Sequence, residues 1–130
     1  METPLILEPK QMADSTVIWL HGLGATKQDF LPVAQILQRQ VLPNTRFILP
    51  QAPIQPVTLN GGMPMPSWYD IIALTSPREI NQSELDASSQ RVISLIEAEV
   101  EKGIPLERII LAGFSQGGAV VLHTAFIAYE

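Results

Sequence analysis

Apolar residues fall along this chain in three short runs, separated by stretches in which they recur at helical spacing. Thr16-Val17-Ile18-Trp19-Leu20, entered from the turn signal Ala13-Asp14-Ser15, reads as a buried strand. Arg46-Phe47-Ile48-Leu49 reads as a second, shorter one. Arg108-Ile109-Ile110-Leu111-Ala112, apolar after its arginine and with two β-branched isoleucines, predicts a strand buried on both faces of a parallel sheet. A helix is expected from about Asp29 to Gln38, with Phe30, Val33, Ile36 and Leu37 on one face and Pro32 tolerated in the first turn. The clearest helix is Ser83 to Lys102. Ser83 and Asp86 suggest a capping box, Leu85, Val92, Ile93, Ile96 and Val100 form its stripe, and Gly103 with Pro105 ends it. Gln116 to Tyr129 carries Val120, Val121, Thr124 and Ile127 near helical spacing. Residues 43 to 66 hold six of the eleven prolines, and no further element is expected before about Ser83. A connection that long points to a lid or a binding loop. Strand, helix, strand, long loop, helix, strand, helix describes an α/β fold with right-handed crossovers.

Composition narrows the class. A chain of 130 residues holds one modest domain, and 46% apolar with 16% charged residues suits buried parallel strands. The net charge is −5 and the eight Lys and Arg are scattered, which argues against a nucleic-acid partner. There is no cysteine, so disulfides and Cys-ligated metals are excluded. Met1–Lys10 has no basic region and its apolar stretch is too short for a signal peptide, while no segment reaches the length of a membrane span. A cytoplasmic protein is the expectation.

Two motifs carry chemistry. Gly113-Phe114-Ser115-Gln116-Gly117 is a G-x-S-x-G placed between the third strand and the last helix. A serine forced into that turn projects its hydroxyl above the sheet edge, and glycines two before and two after leave room for the strained backbone. The helix N-terminus then aims N–H groups at the place where negative charge develops on a substrate carbonyl. Such a site needs a second N–H donor from the loop after an earlier strand. His21-Gly22-Leu23-Gly24 sits in that place, so Leu23 would pair with Gln116 as the oxyanion donors. A dinucleotide fingerprint fails at Lys27, where the third glycine should stand, and Leu49-Pro50 ends the next strand without an acid for a ribose. No phosphate loop exists. A plain strand-to-helix turn is the competing reading of both motifs.

The segments HGLGATKQDF, PQAPIQPVTLN, PSWYDI and GFSQGGAVVLHTAF resemble the cytosolic carboxylesterase and acyl-protein thioesterase family of α/β-hydrolases. The resemblance runs from about Trp19 to Phe126. It implies Ser115 as nucleophile, Leu23 and Gln116 as oxyanion donors, and His21, Gly22, Gly24, Gly113 and Gly117 as the residues that shape the two motifs. It also implies hydrolysis of small esters or thioesters with neither cofactor nor metal, and a pocket lined from Trp68 to Leu74. Together with the βα alternation it predicts parallel strands in the order Arg46–Leu49, Thr16–Leu20, Arg108–Ala112.

The chain departs from the family's pattern after the nucleophile. It stops fifteen residues past Ser115, before the Asp and His that the family brings on later loops, and is expected to be the N-terminal portion of a single incomplete domain. His123 lies eight residues along the helix, about 12 Å of rise from Ser115, against the roughly 3 Å that proton transfer needs. His21 reads as a loop-shaping residue, Asp70 as a loop residue and Asp29 as a helix cap. Met63, Met65, Trp68, Tyr69, Ile71, Ile72 and Leu74 make the far end of the long loop apolar. That makes Met65, Trp68, Ile71 and Leu74 candidate pocket residues, or equally anchors to the core. The expected protein is a serine carboxylesterase acting on a neutral ester or acyl thioester, inactive as 130 residues. The alternative is a non-catalytic, truncated protein that pairs with another chain, and self-association through an open strand edge is expected either way.

Overall fold

In the computed structural model, which describes residues 3–129, the first apolar run becomes the middle of a four-stranded sheet. Its strands are β1 (Leu5–Leu7), β2 (Ser15–Leu20), β3 (Thr45–Leu49) and β8 (Ile109–Gly113), in the order β1-β3-β2-β8. β2 pairs in parallel with β3 on one side and β8 on the other, in the order the alternation predicted. β1 adds an antiparallel edge, with Leu5 opposite Leu49 and Leu7 opposite Phe47. Leu5-Ile6-Leu7 is too short for its pattern to declare a strand, and it is held by pairing.

The two-residue period of the strands sorts the core into two layers. Val17 and Phe47 face α1 (Leu31–Gln40), where Ala34 packs between them with Leu37 and Trp19 alongside. Ile18, Leu20 and Ile48 face the other side, against Leu85, Val92 and Ile96 of α2 (Gln82–Glu101) and Val120 and Val121 of α3 (Gln116–Ala128). The result is a helix–sheet–helix sandwich.

Several sequence expectations shift. β8 is not covered on both faces. Ile110 is 56% exposed on the α1 side, where α1 packs over Val17 and Phe47 instead. In α1, Phe30, Ala34 and Leu37 turn inward while Val33 and Ile36 are exposed. Asp29 does not cap that helix; its carboxylate accepts from the Thr26 hydroxyl at 3.0 Å, and Phe30 occupies the cap position. At α2 the cap is Asn81, whose Oδ1 accepts the Glu84 N–H at 3.1 Å and the Ser83 hydroxyl at 2.8 Å. Ile127 and Val100 are exposed. The long connection folds into two ribbons, β4 (Ile54–Val57) with β5 (Met63–Pro66) and β6 (Ile71–Ala73) with β7 (Glu79–Ile80). Prolines suit β4 and β5 because a two-stranded ribbon has outer edges that need no N–H.

Glu99 replaces Val100 as the inward residue of the last turn of α2, and only 1% of it is exposed. Its carboxylate accepts from the Thr16 hydroxyl at 2.6 Å, Arg46 at 2.6 Å and Lys102 at 3.3 Å. Burial pushes its pKa up, but these donors outweigh burial and hold it below the usual carboxylate value. The cluster locks α2 to the start of β2 and β3. Replacing Arg46 by Met leaves the buried carboxylate short of its main cation. Urea unfolding is expected to register a loss of about 3 kcal/mol, against under about 1 kcal/mol for the exposed Lys102→Met.

Candidate active site

Parallel pairing brings β2 and β8 to an end together, with Leu20 opposite Gly113. Both motifs therefore leave the sheet at the same edge, where functional loops of α/β sheets gather. The Phe114 N–H extends the pairing by donating to the Leu20 carbonyl at 3.1 Å. Ser115 then turns the chain with φ 55° and ψ −116°, the one non-glycine positive φ among the described residues. Such a conformation costs about 1–3 kcal/mol and persists only where the surroundings enforce it.

The enforcing contacts are steric. A Cβ on Gly117 would lie 2.5 Å from the carbonyl oxygens of both Leu20 and His21, and one on Gly113 would lie 2.5 Å from the Gly117 carbonyl group. Strand end and helix start thus touch through bare backbone. Gly22 presses on the same turn, since its Cβ would fall 3.2 Å from the Phe114 ring and 3.6 Å from the Ser115 Cβ. Gly24 adopts φ 75° and donates its N–H to Pro66 at 2.8 Å, tying the loop to β5.

Ser115 is exposed, and its hydroxyl has no hydrogen-bond partner among the described residues. The N–H groups of Leu23 and Gln116 are likewise unpaired among the described residues. Gln116 opens α3, so its N–H has no acceptor within the helix.

The side chain of Gln116 has a second task that sequence reasoning missed. Buried beneath the turn, its Oε1 accepts the Trp68 N–H at 2.8 Å, and its Nε2 donates to the Tyr69 carbonyl at 2.7 Å and the Ser67 hydroxyl at 3.1 Å. Trp68 Nε1 in turn donates to the His21 carbonyl at 2.8 Å. His21 is also buried. Its Nε2 accepts the Ala52 N–H at 3.0 Å, which assigns the ring proton to Nδ1 and lets it donate to the Gly22 carbonyl at 2.8 Å. Both nitrogens are committed, so His21 is no base for Ser115. Burial lowers its pKa, opposed by the Gly22 hydrogen bond and the charge of Asp29. His123 pairs its Nε2 with Asp86 at 2.8 Å, and Asp70 accepts the Thr58 N–H at 2.7 Å. Among the described residues, no cluster of His, Cys, Asp or Glu could hold a metal ion.

A cavity of about 270 Å³ opens beside Ser115. Gly22, Leu23 and Ala25 line it from the loop, Asp29 and Phe30 from ahead of α1, and Phe114 from the elbow. The expected pocket residues Met65, Trp68, Ile71 and Leu74 are not among those that line this cavity. Trp68 and Ile71 are buried in the core, Leu74 is 62% exposed, and the Met65 Sδ lies 3.8 Å from where a Cβ on Gly24 would stand. The Gln116 side chain holds residues 67–69 in the interior, which anchors this part of the loop. A larger cavity of about 500 Å³, between Lys10, Arg39 and Asn44, lies at the other end of the strands.

A mostly parallel sheet between helices, with a positive-φ serine at a strand-to-helix turn, defines the α/β-hydrolase class. The sequence pattern of the phospholipase/carboxylesterase group matches residues 1–129, and the chain belongs to that family. It is 48% identical over 120 residues to acyl-protein thioesterase 1 of Cryptococcus neoformans, covering 89% of this chain and 50% of that protein. With acyl-protein thioesterase 1 homolog 1 of Dictyostelium discoideum it shares 45% over 117 residues, 89% of this chain and 52% of the relative. The crystal structure of Zea mays acyl-protein thioesterase 2 superimposes with a TM-score of 0.77 at 32% identity, covering 96% of this chain and 51% of that one. The chain spans about half the length of these relatives. Among the described residues no helix is long and apolar enough to cross a membrane.

The lowered pKa of His21 predicts an acid-sensitive site. Folded, the imidazole stays neutral where an unfolded chain's, near 6.5, already takes a proton. Stability from this residue is therefore complete above about pH 6.5 and is lost as pH falls below it. His21→Asn removes that slope. Unfolding midpoints of wild type and variant are expected to converge as pH drops from about 8 to about 5; parallel curves would contradict the assignment.

Proposed function

We propose that this chain supplies the nucleophile and the oxyanion site of a serine hydrolase acting on small carboxylic esters or acyl thioesters. Ser115 attacks the substrate carbonyl, and the N–H groups of Leu23 and Gln116 receive the oxyanion. The observation that carries this reading is the strained, exposed Ser115, held by glycines that leave no room for a side chain. The unpaired N–H groups on either side support the oxyanion assignment. The similarity to acyl-protein thioesterases supports an acyl ester or thioester as substrate. A cytoplasmic location and a reaction without cofactor belong to the same proposal.

The general base and its acid come, in this proposal, from sequence outside these 130 residues. Neither His21 nor His123 hydrogen-bonds Ser115. Loss of triad members in serine hydrolases costs on the order of 10⁴ to 10⁶ in turnover. A fluorophosphonate probe is therefore expected to label the full-length protein within minutes, and to leave Ser115→Ala and the 130-residue polypeptide unlabelled. Labelling of Ser115→Ala would sink the nucleophile, and rapid labelling of the 130-residue polypeptide would sink the external base. In a phosphonylated crystal the phosphoryl oxygen is expected within hydrogen-bond distance of both the Leu23 and Gln116 nitrogens.

A second reading, association of this polypeptide with a copy of itself, is favoured by a strand edge and by apolar residues exposed near it. Among the described residues β8 has a free edge, Ile110 stands exposed beside it, and Leu122 and Phe126 are 66% and 69% exposed on α3. Unpaired apolar edges recruit other strands. Size-exclusion chromatography of the 130-residue polypeptide is expected to give dimers or larger species. A monodisperse monomer melting cooperatively above about 60 °C would end this reading.

A further inference from the structure

We propose that the cavity between the Gly22–Ala25 loop and the Phe114–Ser115 elbow receives the apolar arm of a neutral substrate, with Phe30 and Phe114 as walls and Asp29 at the rim excluding anionic arms. This inference rests on the reading of Ser115 as nucleophile.

Three observations converge on it. Of the cavities in the described structure, this one includes Ser115 among its lining residues, so an ester bonded at Ser115 has it as a neighbouring volume. Its aromatic wall is rigid. The Phe30 ring stacks on Trp19 with centroids 4.6 Å apart, and Phe114 meets Phe30 edge to face at 6.2 Å. A stacked ladder of this kind presents apolar surface without side-chain rearrangement, and 62% of Phe114 remains exposed to receive a ligand. The third observation is charge. Asp29 is the only lining residue that ionises, and the Thr26 hydroxyl and N–H hold its carboxylate in place. Its field reaches inward, since its charge also acts on the buried His21. An anionic arm would meet this fixed negative charge with no lining cation to offset it, whereas a hydrocarbon arm meets the two rings.

Two substrate pairs test the proposal in the full-length enzyme. The acyl pair is para-nitrophenyl hexanoate and the para-nitrophenyl monoester of adipic acid. The alcohol pair is phenyl acetate and meta-carboxyphenyl acetate. Asp29→Asn is expected to reduce the preference for the neutral member, as a ratio of kcat/KM, by about three- to tenfold in one pair. The pair that responds identifies the arm. Phe114→Ala is expected to raise KM for the neutral member of that pair by roughly the same factor. A neutral preference that survives Asp29→Asn in both pairs overturns the proposal, and so does an unchanged KM in Phe114→Ala. Ser115→Ala separates the two readings. Turnover in that variant removes the nucleophile assignment itself. Inactivity of Ser115→Ala combined with unmoved ratios removes the subsite alone. Both substituted side chains are exposed, so unfolding midpoints near wild type are expected and confirm that specificity, not folding, is measured.

Discussion

The arrangement depends on a contact between backbones. Gly117 sits against the carbonyls of Leu20 and His21 at a distance no side chain allows. β2 and β8 are adjacent and end in register, so a helix starting just after β8 must cross the end of β2. It crosses low, with Gly117 on those carbonyls and Gly113 beneath Gly117. The chain has two residues, Phe114 and Ser115, in which to reverse direction. A positive φ at Ser115 is the consequence. The strain at the serine is thus set by how closely strand and helix pack.

That strain needs an opposing stabilisation, and the buried polar cluster under the turn supplies it. The Gln116 amide uses both ends on residues 67–69, Trp68 passes a hydrogen bond on to the His21 carbonyl, and His21 closes on Ala52 and Gly22. Each named polar group has a partner, so the low dielectric strengthens these bonds. The loops after β2 and β3 and the 67–69 segment are held by one network. Moving any of them breaks hydrogen bonds in the others. A catalytic N–H on such a loop would need little reorganisation when charge develops beside it.

Legibility in the sequence followed the range of the interactions. The three parallel strands and their order were readable because β-branched runs alternate with helical spacing and local pattern decides them. β1 was not, because three residues of Leu5-Ile6-Leu7 carry no periodicity and are held by pairing with β3. Helix ends moved by a residue or two, because neighbouring polar residues compete for one cap. Asn81 outcompeted Ser83, and Glu99 displaced Val100 inward because Thr16 and Arg46 wait for it across the sheet. The elbow glycines were legible because steric exclusion leaves one residue type. The cavity lining was not. Trp68 and Ile71 look like pocket residues by composition, and only the Gln116 side chain, 48 residues from Trp68, reveals that they are core. Hydrophobic loop residues have the same signature whether they bind a ligand or fasten the loop, and long-range hydrogen bonds separate the two.

The same distinction explains why one end of the sheet carries both rigid and open surface. Residues that fasten the loops turn their side chains inward: those of Trp68, His21 and Gln116 are committed to protein partners. What remains at the surface is the complement of that network, namely the Ser115 hydroxyl, two unpaired N–H groups, the Phe114 ring and the Asp29 carboxylate. None of these could be recruited to the interior without cost, because the backbone that carries them is already pinned from below. The groups this edge offers are therefore a hydroxyl, two N–H dipoles, an aromatic face and one negative charge. Proton removal requires a group with a free nitrogen or carboxylate aimed at Ser115. Both histidines are bonded to other partners instead, His21 to Ala52 and Gly22 beneath the turn and His123 to Asp86 on the helix face, so neither is aimed at Ser115.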